Sequence, residues 1–144
     1  MKKVGRIDDV NQFVLWCKSY ECYLEKDKYY SGIKRRLYDF KFGIDERGLK
    51  LINRFCEPET ILLLKYEIGG GLKLHRDSGA GKIAYSLSSV DYQFSWDGKI
   101  YNCKAGEIYQ FDGKKLHGLN NKLHQERWCL VWWKKENDYQ LSLF

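Results

Sequence analysis

Between residues 8 and 30 apolar side chains return at near-3.6 spacing, with Val10, Phe13, Val14, Cys17 and Tyr20 along one side of a wheel whose remainder is mostly polar. That period predicts an amphipathic helix, and Asp8 or Asp9 stands where a short carboxylate can cap its first free N–H groups. A second short helix is predicted over residues 48–55, ended by Glu57 and the single proline, Pro58, whose missing N–H cannot continue a helical ladder. Residues 1–58 thus read as a mainly helical, charged preface.

After Pro58 the pattern changes to short runs rich in branched and aromatic residues. Residues 60–66, 82–88, 92–96, 100–103, 107–111 and 127–133 are each predicted as strands, bounded by turn formers. Asp97-Gly98 is a two-residue hairpin signal, and Ala105-Gly106 and Asp112-Gly113 supply further turns. Short antiparallel strands joined by tight turns point to a mainly β chain with N-terminal helices, its core over residues 59–134 a double-stranded β-helix of the jelly-roll or cupin-like kind. At 144 residues the chain is sized for a single domain, since single cores commonly run to roughly 100–150 residues, and residues 135–144 are left as a tail.

Composition narrows the classes. Five Trp, eleven Tyr and seven Phe give ample apolar area for a core although 31% of residues are charged. No stretch approaches the ~20 apolar residues of a membrane span, and the N-terminus lacks an apolar leader segment, so the cytoplasm is the expected location and no membrane partner is expected. The five cysteines are odd in number and scattered, which supports neither a disulfide framework nor a structural zinc site. A net charge of +6, from 25 basic and 19 acidic residues, would attract DNA or RNA but is modest for a dedicated binder. Lys34, Arg35 and Arg36 form the densest basic cluster, and such clusters are most often solvated faces.

The candidate chemistry lies in the β-rich part, which holds all three histidines, His75, His117 and His124. In His75-Arg76-Asp77 an extended backbone points the imidazole and the carboxylate to one face and Arg76 away. Two histidines and one carboxylate on one face of an octahedron leave the opposite positions for a chelating co-substrate and dioxygen. His117, between Leu116 and Gly118-Leu119 on a predicted strand, is the preferred third ligand. His124, in the polar stretch 120–126, is the competitor. Alone, His-x-Asp is more often an ordinary surface pair. It also occurs in the kinase catalytic loop, but no matching Asn, Asp-Phe-Gly or glycine-rich loop accompanies it here. Ten residues after His117, Arg127 opens the last apolar strand, sharing a face with Cys129, Val131 and Trp133. A buried guanidinium needs an anion, either the carboxylate of a small dicarboxylate or a structural partner among Glu107, Glu126 and Asp112. Tyr85, Trp96, Tyr109 and Trp133 are candidate pocket walls, although aromatics in a barrel are more often core.

Taken in order, these motifs resemble the Fe(II)/2-oxoglutarate-dependent dioxygenases, in their AlkB-like form. Leu62-Leu-Leu-Lys-Tyr-Glu-Ile-Gly-Gly-Gly-Leu-Lys-Leu-His-Arg-Asp77 is similar to that family's strand with a Tyr, a Gly three residues later and a Leu-x-Leu-His-x-Asp ending. Ile83-Ala-Tyr-Ser-Leu87, Ala105-Gly-Glu-Ile-Tyr-Gln-Phe111, Leu116-His-Gly-Leu119 and Arg127-Trp-Cys-Leu-Val-Trp132 resemble the strands that follow, so the likeness covers residues 60–134. It implies iron held by His75, Asp77 and His117, and 2-oxoglutarate held through its distal carboxylate by Arg127 and Tyr66. The reaction it implies is hydroxylation or oxidative dealkylation with O2, releasing succinate and CO2. The chain departs from the AlkB-like pattern at Leu64 and Cys129, where asparagines are common, and at Trp133, where a second arginine is common. It also lacks acidic residues over 78–81 and has little chain ahead of its core for a nucleotide-recognition lid. The substrate stays open between a nucleic acid or nucleobase and a protein side chain or small molecule. A non-catalytic cupin-like binding module is the reading from another class.

Overall fold

The computed structural model describes residues 1–136, so nearly all of the tail expected at 135–144 lies outside the described residues. Two antiparallel sheets form the fold. The larger runs β1 (Lys2–Arg6), β8 (Glu107–Asp112), β5 (Ile83–Ser88), β10 (Arg127–Lys134), β4 (Pro58–Leu72), β3 (Gly32–Asp39) and β2 (Glu25–Lys26) from edge to edge. The smaller runs β7 (Lys99–Cys103), β6 (Tyr92–Trp96) and β9 (His117–Leu119). This is the expected double-stranded β-helix. Asp97 and Gly98 join β6 to β7 with φ of 49° and 79°, the two positive values a tight two-residue hairpin of this twist requires.

The apolar runs of β4 and β10 are nearly continuous because both faces of the large sheet are covered. On one face Leu63, Leu87, Ile108, Leu130 and Trp132 pack against Phe13 and Trp16 of α1 (Val10–Lys18) and Ile52 of α2 (Glu46–Ile52). On the other, Leu62, Leu64, Tyr66, Cys129 and Trp133 pack with Phe94 and Phe111 inside the barrel. Asp45 ties the two helices together: it caps α2 by accepting from Gly48 N at 2.9 Å and also accepts from Trp16 Nε1 of α1 at 2.9 Å.

The preface is not mainly helical. The helix expected over 8–30 is only Val10–Lys18, capped by Asp9, whose carboxylate accepts from Gln12 N at 3.1 Å. β1, β2 and β3 then use preface residues to extend both edges of the large sheet. The period of β3 is hidden by the charged run Lys34 to Arg36 and by an irregularity within it, since the register with β4 shifts between Ile33 and Arg35 and Lys34 has a φ of 49°. α2 begins and ends earlier than the predicted 48–55, and Pro58 does not terminate a helix but opens β4, where the first strand residue can spare its N–H. Among the described residues no helix is long and apolar enough to cross a membrane.

Leu130 is fully buried between the large sheet and the helices. Leu130→Ala is expected to cost about 3 kcal/mol of unfolding free energy in urea titration. A loss below about 1 kcal/mol would mean that the helical layer is not packed on the sheet as described.

Candidate functional site

The segment after β4 stays extended and crosses to the small sheet, where His75 and His117 exchange both backbone hydrogen bonds, N to O at 3.0 Å each. Gly118 permits this approach, since a Cβ there would stand 2.6 Å from the carbonyl oxygen of Leu72. Asp77 is held next to the pair by its own N–H, which donates to Gly113 O at 2.8 Å. Gly113 has a second part beyond its turn: a Cβ at this position would lie 2.2 Å from Asp77 Oδ2. The carboxylate occupies the space that any other residue would fill.

The three side chains converge. His75 Nε2 and His117 Nε2 lie 3.3 and 3.2 Å from Asp77 Oδ1, and the imidazole ring centroids are 4.4 Å apart. Each Nδ1 is 2.8 Å from a backbone carbonyl two residues earlier, Lys73 O and Lys115 O, so Nδ1–H donates there and the Nε2 lone pair is aimed at the shared point. A six-coordinate ion with bonds of ~2.1 Å separates neighbouring donor atoms by ~3 Å, which these spacings fit. Two imidazoles and a carboxylate on one face are the donor set suited to Fe(II) with open positions opposite. Burial by itself would raise the Asp77 carboxyl, but the His117 and His75 side chains against it, together with a hydrogen bond from Trp133 Nε1 at 2.9 Å, hold it well below the usual carboxylate range. His124 is exposed in its loop and takes no part in the cluster.

A cavity of about 440 Å3 opens beside this trio between the sheets. Leu62, Leu64 and Val131 line its wall, and Tyr66, Arg127 and Arg35 close its far end. Arg127 is 3% exposed, and among the described residues no carboxylate pairs with it. The three acids that could have been its structural partners sit elsewhere: Glu107 2.8 Å from Lys3 Nζ, Glu126 3.5 Å from Lys65 Nζ and Asp112 3.8 Å from Lys82 Nζ. Arg127 Nε donates to Ser88 Oγ at 2.9 Å, and its guanidinium lies 4.2 Å from the ring centroid of Tyr92 and 5.1 Å from that of Tyr66. None of these neighbours supplies an anion, because burial pushes the Tyr92 phenol and the Cys129 thiol up and keeps both neutral, against the pull of Arg127.

Several members of the site were not singled out from sequence. Ser88 and Tyr92 hold Arg127, Gly113 makes room for Asp77, and Arg35, from the cluster read as a solvated face, turns into the cavity with a side chain only 7% exposed. The parity of β3 could have found it, since Arg35 and the buried Leu37 fall on the same face. Trp133, expected only as a wall, is also a donor to Asp77. Of the other proposed walls, Tyr85 faces the helical layer, stacked on Trp132 at 5.6 Å, while Trp96 and Tyr109 do not line the cavity.

No protein-family model matches the chain, and no curated protein does. Solved structures do. OsALKBH1 superposes with a TM-score of 0.70 at 16% identity over 93% of this chain and 96% of that one. A prolyl-4-hydroxylase of Pseudomonas putida gives 0.69 at 15% identity over 94% and 92%. The viral collagen prolyl hydroxylase vCPH of Paramecium Bursaria Chlorella virus-1, solved in complex with 2OG, gives 0.59 at 12% identity over 92% and 93%. At these identities the likeness is one of fold alone, the double-stranded β-helix.

Trp133→Phe removes the indole donor while keeping an aromatic in place. Affinity for Mn(II), titrated by calorimetry, is expected to fall by about 10-fold with little change in melting temperature. Unchanged affinity would mean that the histidines alone orient Asp77.

Proposed function

We propose that this chain is an Fe(II)- and 2-oxoglutarate-dependent oxygenase in which His75, Asp77 and His117 hold the metal and Arg127, with Tyr66, receives the distal carboxylate of the co-substrate. The observation that carries the reading is the guanidinium of Arg127, buried with no carboxylate partner among the described residues, in the same cavity as a two-histidine, one-carboxylate cluster. An isolated buried charge costs several kcal/mol, and a dicarboxylate reaching from the metal to Arg127 would offset that cost with a fork of charge-assisted hydrogen bonds.

With Fe(II), 2-oxoglutarate and O2 bound, the site would hydroxylate a substrate C–H bond, releasing succinate and CO2, and a hydroxylated carbon that bears nitrogen would be lost as an aldehyde. The chain's own residues do the positioning. Lys73 O and Lys115 O fix the two imidazoles, Trp133 turns the Asp77 carboxylate, and Ser88 and Tyr92 immobilise Arg127. Leu62, Leu64 and Val131 keep the intervening wall dry, which strengthens each polar contact inside. The motif order Tyr66, His75-Arg-Asp77, His117, Arg127 supports an AlkB-like member of the superfamily.

For the substrate, the cavity mouth favours a nucleic acid. Lys28 and Arg76 are exposed there beside Tyr29 and Tyr30, and Tyr30 is 97% exposed. Cations for phosphate next to free aromatic faces for bases are the recurring components of single-strand recognition. Hydroxylation of a protein side chain is the second reading, favoured by the likeness to two prolyl hydroxylases.

Two measurements test these readings. Anaerobic addition of Fe(II) and 2-oxoglutarate is expected to raise a weak visible charge-transfer band that His75→Ala abolishes, while Arg127→Met weakens 2-oxoglutarate binding about 100-fold. A folded wild-type chain with no band would instead support the cupin-like binding module. Binding of a single-stranded oligonucleotide is expected to weaken steeply with salt and to fall further in a Lys28→Glu, Arg76→Glu variant. Binding insensitive to both would turn the substrate toward protein.

A further inference from the structure

Of the three arginines that line the cavity, Arg76 is exposed at its mouth, and Arg127 and Arg35 are the two whose side chains are withdrawn from solvent. Arg35 on β3 stands opposite Tyr66 on β4, which in turn stands opposite Arg127 on β10, so the three form one inward-facing row across the sheet. The Tyr66 ring lies between the two cations, its centroid 5.6 Å from Arg35 Cζ and 5.1 Å from Arg127 Cζ. Each of the three Arg35 nitrogens has a partner. Its Nε donates to Asp27 Oδ2 at 2.8 Å, its Nη2 lies 2.8 Å from the same oxygen, and its Nη1 donates to the Tyr66 hydroxyl at 3.1 Å. Side-chain exposure is 7% for Arg35 and 6% for Asp27. Gly32 leaves room for this pair, since a Cβ there would stand 2.0 Å from Asp27 Oδ2 and 2.5 Å from Arg35 Nε.

An ion pair that served only the fold would be complete with Asp27. The third nitrogen of Arg35 donates instead to Tyr66, which is 1% exposed and lines the cavity. Accepting that bond occupies the phenol oxygen on the Arg35 side and leaves its own proton to be donated elsewhere. Among the described residues that proton has no acceptor. A hydroxyl that accepts from a cation is also polarised into a stronger donor.

We propose that Arg35 is a positioning residue for the co-substrate. It fixes and polarises the Tyr66 hydroxyl, so that the distal carboxylate of the dicarboxylate is read by Arg127 directly and by Arg35 through Tyr66. This role rests on the oxygenase reading above. It goes beyond that reading in making co-substrate affinity depend on a residue of the preface that does not touch the co-substrate.

The test is equilibrium binding of 2-oxoglutarate to the full chain with Fe(II) under anaerobic conditions, followed by the charge-transfer band. Arg35→Met and Tyr66→Phe are each expected to weaken binding about 10-fold, and the double variant to be no more than about 2-fold weaker than either, because Arg35 acts through Tyr66. Pyruvate, which lacks the distal carboxylate, is expected to bind wild type and Arg35→Met alike. Unchanged 2-oxoglutarate affinity in Arg35→Met, additive losses in the double variant, or an equal loss with pyruvate would each overturn the proposal. Should Arg35→Met not fold, Arg35→Gln combined with Asp27→Asn removes both buried charges together and is read by the same criteria. A band that depends on Arg127 but not on Arg35 would sink this role alone, whereas no band in folded wild type would sink the oxygenase reading with it.

Discussion

A cation sealed between two β-sheets, with no anion opposite it among the described residues, governs how the rest of this cavity is built. Arg127 must keep its charge, since no environment in a protein deprotonates a guanidinium. The surroundings therefore soften the cost without cancelling it: the Tyr92 face lies 4.2 Å away, and Ser88 takes one donor. Stacking and a single neutral acceptor hold the side chain straight but supply no negative charge, so the terminal nitrogens stay available to a ligand. The apolar wall of Leu62, Leu64 and Val131 makes that availability consequential, because a carboxylate arriving there loses water and meets a fixed donor pair.

What was legible in the sequence follows from how local each signal is. The hairpin at Asp97-Gly98 and the strand 92–96 are set by neighbouring residues, and both stand as read. His75 and Asp77 share a face by the two-residue period of extended chain, and the choice of His117 over His124 follows from strand against loop composition. The preface differs from its local reading because its strands lie at or next to the sheet edges, where pairing is decided by partners far along the chain. Arg35 was hidden for the same reason: between Lys34 and Arg36 its inward orientation is a matter of register with Tyr66, and local sequence does not carry register. Gly113 read correctly as a turn residue, yet its contact with Asp77 is tertiary and has no local signature.

Solved structures of the same fold at 16% identity or less carry names as different as OsALKBH1 and prolyl-4-hydroxylase, and a fold constrains little of the chemistry at its mouth. Here the constraint is carried inside, by one arginine, one tyrosine and a donor to the acidic ligand candidate. Trp133 illustrates the freedom that remains. An uncharged indole satisfies the Asp77 oxygen where a second arginine would add charge, leaving the net charge of the site lower by one.

The exchange of backbone hydrogen bonds between His75 and His117 also has a meaning in time. These residues belong to segments far apart along the chain, and their pairing is what turns the small sheet toward the end of β4. Non-local pairing of this kind is the slow, entropically costly part of assembling a β protein. An unfolded chain offers an ion only the adjacent His75 and Asp77, a weak partial chelate, so a complete coordination face comes into being at the moment the barrel shuts. Were a metal bound as proposed, its capture would be a clock for folding, marking the closure of this long-range contact.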